Sequence, residues 1–233
     1  MAFGVIFDMD GLMLDTERIA RKVWKRAVAE YGYTVTDTQY LQIVGRTVTD
    51  AEGVLRDIFG PGFPFGEIYA LRKKYYDIEL EDHGVPVKPG LIELLDYLDL
   101  NAIPRAVASS TVKSFVLVKL NGAGIAGRFD AIVGGDEVER GKPAPDLFLA
   151  AARQLGLAPE QCLVLEDSEP GIRAGYLAGC LPVMVPDLKQ PSPDVAMLAW
   201  RICEDLSRVI PLLEEIKRGG MPAFGSRAPI SGG

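Results

Sequence analysis

The stretch Gly4-Val5-Ile6-Phe7-Asp8-Met9-Asp10-Gly11 places a short apolar run directly before two aspartates and a glycine. Val5 to Phe7 are typical of a strand that is buried on both faces of a parallel sheet. Two carboxylates at positions i and i+2 cannot both be buried without partners, because an isolated buried charge is strongly unfavourable. They are therefore either solvated in a turn that Gly11 permits or bound to a cation. The cation that this pattern favours is Mg²⁺, which takes one or two carboxylates together with phosphate oxygens.

Composition limits the class of protein. The chain has 233 residues, of which 48% are apolar and 24% charged, as in an ordinary globular protein of one domain with an insertion or two small domains. No apolar run approaches the roughly 18 residues that span a bilayer, and the N-terminus has no pattern of a secretory signal. We therefore expect a cytoplasmic protein without a membrane partner. The net charge of −7 argues against nucleic acid as a partner.

Cysteine and histidine are scarce. Cys162, Cys180 and Cys203 are widely spaced among apolar residues, which predicts reduced cysteines in the core, not a disulfide framework or a zinc site. His83 is the single histidine, so a nucleophile activated by histidine would have to use it. It stands in a stretch, residues 81–84, that we interpret as a loop, and we expect a structural role for it. Nothing in the sequence requires more than a monomer.

Residues 16–85 carry helical patterns. Thr16 is a suitable N-cap, and the apolar spacing after it predicts a helix of about four turns. The run Thr49-Asp50-Ala51-Glu52 has the form of a capping box and predicts a helix from there through Phe59. A further amphipathic pattern covers residues 68–78. This block therefore predicts a small helical domain.

From residue 86 onward, predicted strands alternate with predicted helices, which indicates a parallel sheet with helices on both faces. The first strand precedes the helical block, so the block is an insertion. The sequence thus predicts a doubly wound, Rossmann-like α/β core from residues 1–15 and 86–218, with an inserted helical domain at 16–85. Residues 219–233, rich in Gly, Pro and Ser, predict a disordered tail.

Polar side chains follow four of the predicted strands, and ligands of such sheets bind beyond the carboxyl ends of the strands. Each group has an ordinary alternative: a solvated turn, a helix cap, a surface lysine or an acidic helix N-terminus. Because all these groups are expected at one edge of the sheet, a common site is favoured. In it the acids would bind a cation, and the hydroxyls and the lysine would bind a phosphate. The groups are Asp8 and Asp10, Ser109 and Ser110, Lys142, and Glu166 and Asp167.

The motifs in this order resemble those of the haloacid dehalogenase superfamily and cover the chain to about residue 217. The inserted helices resemble the small cap of the subgroup that contains β-phosphoglucomutase and sugar-phosphate phosphatases. The resemblance therefore implies a haloacid dehalogenase core with a helical cap. The four motifs are Asp8-Met9-Asp10-Gly11 with Asp15-Thr16, Ala108-Ser109-Ser110-Thr111, Gly141-Lys142-Pro143-Ala144-Pro145-Asp146, and Leu165-Glu166-Asp167-Ser168.

The resemblance implies roles for these residues. Asp8 would be the nucleophile that forms an aspartyl-phosphate, and Asp10 would act as general acid and then general base. Ser109, Ser110 and Lys142 would bind phosphoryl oxygens, because phosphoryl transfer relies on positioning and charge compensation.

The resemblance also implies a magnesium cofactor. The ion would be held by the Asp8 carboxylate, the Asp10 backbone carbonyl and Asp167, and by Glu166 either directly or through water. In the cap, the resemblance suggests Gly45, Arg46 and Arg72 as contacts to the distal part of the substrate, whereas the helical pattern alone is also consistent with solvated charges.

The expected activity is hydrolysis of a small phosphorylated metabolite, with sugar phosphates as the expected class. Dehalogenases of the superfamily lack the acid found here at Asp10, because no alkoxide leaves in their reaction. A β-phosphoglucomutase type of mutase is the alternative, although such mutases carry a histidine in the first cap helix where Ala20 stands here. A protein of another class, which binds a phosphorylated metabolite without catalysis, is the remaining alternative.

Overall fold

The structure, a computed structural model, describes residues 2–44 and 46–222, and of His83 the backbone alone. It divides into two compact units. One is an α/β unit, formed by residues up to Asp15 together with those from Val85 onward. The other is a helical unit, Thr16–Gly84, and corresponds to the segment for which the sequence predicts an inserted cap.

The α/β unit is built on a six-stranded sheet in which all neighbouring strands pair in parallel. The order is β3-β2-β1-β4-β5-β6, so the chain moves outward from β1 in both directions. The predicted doubly wound α/β fold is thereby confirmed. The strands are β1 (Gly4–Phe7), β2 (Arg105–Ala108), β3 (Ala131–Val133), β4 (Cys162–Glu166), β5 (Leu181–Met184) and β6 (Arg201–Ile202).

Strand β1 lies in the interior of the sheet, between β2 and β4, which explains why its residues are apolar. Val5 and Phe7 pack into the core on one face of the sheet, whereas Ile6 packs into the core on the other face. All three side chains are buried, and each such burial contributes about 1.5–3 kcal/mol to folding. Because both faces of the sheet are covered, a polar side chain at any position of this run would be buried in apolar surroundings. The first polar side chain therefore follows the end of the strand, at Asp8.

The helical unit consists of four α-helices among its described residues: α1 (Thr16–Ala29), α2 (Asp37–Leu41), α3 (Val48–Phe59) and α4 (Phe65–His83). The predicted start of α3 was wrong by two residues, because Thr47, not Thr49, is the N-cap and its hydroxyl accepts a hydrogen bond from Asp50 N at 3.2 Å. The loop expected around His83 was also wrong, since α4 continues through that residue and ends at Gly84, whose φ is +73°.

In the α/β unit, helices follow or precede each strand: α5 (Leu91–Leu100), α6 (Lys113–Gly122), α7 (Asp146–Gln154), α8 (Glu169–Leu177), α9 (Pro193–Ala196) and α10 (Val209–Gly219). Helix α10 extends one residue into the predicted tail, of which residues 223–233 lie outside the described part of the chain. The three cysteines are free and buried, as predicted. Over the described ranges, none of the helices has the length and apolarity to cross a membrane.

Candidate active site

The carboxyl ends of the central strands form one edge, and backbone hydrogen bonds hold their first loop residues in register. Asp8 N donates to Leu165 O at 3.0 Å, and Ser109 N donates to Val133 O at 3.1 Å. These hydrogen bonds fix the backbone of Asp8 and Ser109 at the ends of their strands.

Lys142 joins three of these segments. Its ammonium group donates to Asp8 Oδ1, to Glu166 Oε1 at 2.6 Å and to the carbonyl oxygen of Ala108 at 3.1 Å. The Lys142 side chain is only 6% exposed, so these contacts replace water as the partners of its charge. Lys142, which the sequence predicted as a phosphate-binding residue, thus lies between the ends of β1, β2 and β4.

Three carboxylates of this edge form a compact cluster. Each of Asp8, Glu166 and Asp167 offers one oxygen atom, and these atoms all lie within 4.8 Å of one another. When all three carboxylates are ionised, the cluster with the Lys142 ammonium group among them has a net charge of −2, which one Mg²⁺ would neutralise. Because Mg²⁺ also prefers carboxylate oxygens, these residues fit the ion that the sequence implies.

The pKa values of the cluster reflect the same excess of negative charge. Burial raises the pKa of Asp8 to about 7, although Lys142 opposes this and Glu166 adds to it. Burial and then the charges of Glu166 and Asp8 hold the pKa of Asp167 well above its usual value. Burial lowers the pKa of Lys142, but the charges of Asp8 and Glu166 outweigh burial and raise it overall. The lysine therefore stays charged, while Asp8 and Asp167 bind protons more readily than ordinary aspartates do.

Glu166 is fully buried and both of its oxygens have partners. Lys142 binds one oxygen, and the second accepts hydrogen bonds from Ser168 N at 2.9 Å and from Ser168 Oγ at 2.8 Å. Ser168 also N-caps α8, accepting a hydrogen bond from Gly171 N at 3.2 Å. A Cβ atom on Gly171 would lie 1.8 Å from Glu166 Oε1, so the helix can approach this carboxylate only with glycine at that position.

Asp10 is held separately from the three-carboxylate cluster. Thr111 Oγ1 donates to Asp10 Oδ2 at 2.9 Å, and Lys119 Nζ donates to Asp10 Oδ1 at 2.6 Å. Thr111 belongs to a motif that the sequence pointed to, but Lys119 was missed. Lys119 lies on helix α6, and no local sequence pattern distinguishes it from a solvated surface lysine.

Gly11 brings the loop after β1 against the cluster. Its φ of +89° is a conformation that favours glycine, and a Cβ atom there would lie 2.4 Å from Asp167 Oδ2. Gly11 N donates to Leu14 O at 3.0 Å, which closes the loop immediately after Asp10.

The two serines of the second motif differ in position. Ser109 is buried, and its hydroxyl accepts a hydrogen bond from Thr111 N at 3.1 Å. Ser110 is exposed, and its carbonyl oxygen faces Gly135, where a Cβ atom would lie 2.3 Å away. Ser109 is therefore the serine enclosed near the strand ends, whereas Ser110 lies at their rim.

The cap residues suggested by the sequence lie in the helical unit. Arg46 and Arg72 line a cavity of about 150 Å³ whose walls include Trp24, Tyr40 and Tyr69. The Arg72 guanidinium lies 5.6 Å from the Tyr69 ring centroid, and its buried Nε has no hydrogen-bond partner among the described residues. Gly45 lies outside the described residues.

Comparison with known proteins identifies the family of this chain. The model of the haloacid dehalogenase-like hydrolase family matches residues 5–185, which covers the sheet from β1 to β5 and all four motifs. The chain belongs to this family, so the resemblance seen in its motifs is confirmed.

Two relatives and one solved structure illustrate the similarity. The chain is 31% identical over 221 residues to a bifunctional riboflavin kinase/FMN phosphatase of Arabidopsis thaliana, covering 94% of this chain and 56% of that protein. It thus spans about half the length of that relative. It is 31% identical to a phosphorylated carbohydrates phosphatase of Thermotoga maritima, with coverage of 75% and 81%. A hydrolase from Deinococcus radiodurans, solved with phosphate and sodium, superposes with a TM-score of 0.77 at 27% identity, with coverage of 95% and 98%.

Proposed function

We propose that this protein is a Mg²⁺-dependent phosphatase that hydrolyses a small phosphorylated metabolite, with sugar phosphates as the expected class. The observation that carries the proposal is the buried Lys142 bound to Asp8 and Glu166 beside Asp167. A carboxylate beside an ammonium group and a cation site is suited to attack an anionic phosphate, because the positive charges cancel the repulsion. The names of relatives, which include a phosphorylated carbohydrates phosphatase, support the same reaction class.

In the first proposed step, an oxygen of Asp8 forms a bond to phosphorus while the bond to the leaving oxygen breaks, which gives an aspartyl-phosphate. Asp10 donates a proton to the leaving oxygen, so that an alcohol and not an alkoxide departs. In the second step, water attacks phosphorus and Asp10 takes its proton. Inorganic phosphate leaves, and the Asp8 carboxylate is restored.

The neighbouring residues hold this chemistry in place. Thr111 and Lys119 fix both oxygens of Asp10, which would aim the carboxyl group at the leaving oxygen. Lys142 and Ser109 would bind phosphoryl oxygens, with Ser110 at the rim. Asp8, Asp167 and the Asp10 backbone carbonyl, with Glu166 directly or through water, would hold Mg²⁺, which supplies positive charge to the phosphoryl group.

The helical unit is proposed as the cap that contacts the rest of the substrate through Arg46 and Arg72, and Gly45 belongs to the same proposal. The support is chemical: the cavity combines aromatic walls with a guanidinium whose Nε has a hydrogen bond to donate. Such a pocket suits a ring or polyol that carries hydrogen-bond acceptors.

The test is a phosphate-release screen of the purified protein with Mg²⁺ over sugar phosphates, phosphoglycolate, nucleotides and pyrophosphate. We expect release from at least one sugar phosphate and none in EDTA. Interconversion of glucose 1- and 6-phosphates without phosphate release would identify a mutase instead. Binding of a phosphorylated metabolite without any turnover would identify a non-catalytic protein.

A further inference from the structure

A further carboxylate, which the four motifs do not include, lies at the same edge of the sheet. Strands β4 and β5 pair with Glu166 opposite Met184, and Val185 N donates to Glu166 O at 2.8 Å. Asp167 and the segment leading to Asp187 therefore leave the sheet side by side. The charge of Asp187 also contributes to raising the pKa of Asp167, although burial contributes most.

Asp187 is bound on one side only. Its Oδ1 accepts a hydrogen bond from Lys88 Nζ at 2.5 Å, and the side chain is 4% exposed. Its Oδ2 is buried and accepts no hydrogen bond from the described residues. A buried acceptor without a donor is unfavourable, so we expect a donor at this oxygen that does not belong to the described residues, such as a water molecule.

Lys88 connects this carboxylate to the loop of the first motif. Lys88 N donates to Met13 O at 2.8 Å, and the adjacent Val87 forms a bridge with Leu14. The loop from Gly11 to Leu14 approaches Asp167 at its other end. The ion pair thus holds Asp187 in a fixed position beside the loop that contains Asp10.

Asp187 lies outside the compact cluster, which contains Asp8, Glu166 and Asp167. It is therefore placed as an outer partner and not as a direct ligand. Mg²⁺ usually keeps several waters when it binds to a protein, and these waters are donors for nearby carboxylates. Loss of such an outer partner typically weakens metal binding about 10–100-fold.

We propose that Asp187 is a positioning residue of the cation site: Lys88 holds its Oδ1, and its Oδ2 accepts a hydrogen bond from water in the hydration shell of Mg²⁺. The inference rests on the cation site of the proposed function. It adds a fifth segment, the loop after β5, to the four that the motifs supply.

The test measures binding of Mg²⁺ alone by titration calorimetry, without substrate. Asp187→Asn replaces an acceptor oxygen by an amide donor, so we expect affinity to fall about 10-fold or more. Lys88→Met removes the group that fixes Asp187 but keeps the carboxylate and its charge, so we expect Mg²⁺ affinity to fall less than in Asp187→Asn. Asp130→Asn is the matched control: it removes the same charge before β3, where Asp130 accepts a hydrogen bond from Arg105 N at 2.8 Å, and should leave Mg²⁺ affinity unchanged.

The unequal losses of Mg²⁺ affinity in the two variants separate this proposal from a purely structural ion pair. Equal weakening by Asp187→Asn and Lys88→Met would overturn it, as would an unchanged affinity in Asp187→Asn or the absence of Mg²⁺ binding in the wild type. If Lys88→Met does not fold, Lys88→Arg retains the pair and should keep wild-type affinity while Asp187→Asn still loses it. Failure of the phosphatase proposal is a different result, namely Mg²⁺ binding without phosphate release.

Discussion

Lys142 Nζ donates to Glu166 Oε1 at 2.6 Å while it also binds Asp8, so one buried ammonium group links the strand of the proposed nucleophile to the strand of the second acidic motif. The two carboxylates can approach one another only because this positive charge lies between them. The residual negative charge of the cluster then creates the demand for a divalent cation.

Asp8→Asn tests the nucleophile. The amide has nearly the shape of the carboxylate but cannot form an aspartyl-phosphate, so we expect turnover to fall roughly 10³-fold or more. Phosphate release on the best substrate of the screen gives the measurement. Retained substrate binding, seen by calorimetry, would show that the variant is folded, and wild-type turnover would contradict the assignment.

The stability of the metal-free protein should fall as the pH rises from about 4 to 7. The pKa of Asp8 is about 7 in the folded state and near 3.8 when unfolded, so the folded protein binds more protons in this window and loses that advantage as they dissociate. We expect a loss of a few kcal/mol in the free energy of unfolding, measured with urea in EDTA.

Added Mg²⁺ should reverse this trend, because it binds the deprotonated cluster. The increase in unfolding free energy on adding Mg²⁺ should therefore be larger at pH 7.5 than at pH 5. Asp8→Asn serves as the control and should show a weaker pH dependence in EDTA. An equal effect of Mg²⁺ at both pH values would argue against ion binding at these carboxylates.

Gly171→Ala tests the close approach of α8 to Glu166. The added Cβ would collide with a buried and hydrogen-bonded carboxylate, so we expect a destabilisation of roughly 1–3 kcal/mol. Gly53→Ala is the matched helical control, since a Cβ there meets nothing within 4 Å and should stabilise by about 0.5–1 kcal/mol. Urea unfolding of both variants gives the comparison, and equal effects would refute the steric explanation.

Lys119→Met tests whether the lysine positions Asp10. Loss of its hydrogen bond should lower kcat about 10-fold or more with a smaller change in KM, because Asp10 acts on the leaving group and not in binding. Lys113→Met on the same helix removes a half-exposed pair with Glu137 and should leave kcat unchanged. Similar kinetics in the two variants would count against a positioning role for Lys119.

Arg72→Met tests the cap cavity. The variant keeps a long apolar side chain but removes the guanidinium, so we expect KM to rise about 10-fold with little change in kcat. Lys74→Met, an exposed change on the same helix, is the control and should have wild-type kinetics. A fall in kcat alone, with KM unchanged, would exclude substrate binding as the role of Arg72.

The sequence predicted much of the α/β unit, because buried parallel strands require continuous apolar runs and polar motifs follow four of the runs here. Local helix starts were harder to predict. The capping-box pattern predicted a helix that starts at Thr49, whereas α3 begins at Val48 with Thr47 as its N-cap. His83 was expected in a loop, although α4 extends to the following glycine.

What the sequence determined by itself was the order of strands and helices and the chemical type of the residues after each strand, since these follow from local burial patterns and residue chemistry. Only the tertiary structure decided which side chains meet. Lys119 lies 109 residues from Asp10, and Lys88 lies 99 residues from Asp187, yet both pairs form hydrogen bonds. Such pairings depend on how distant segments pack around the sheet, and no local pattern encodes them.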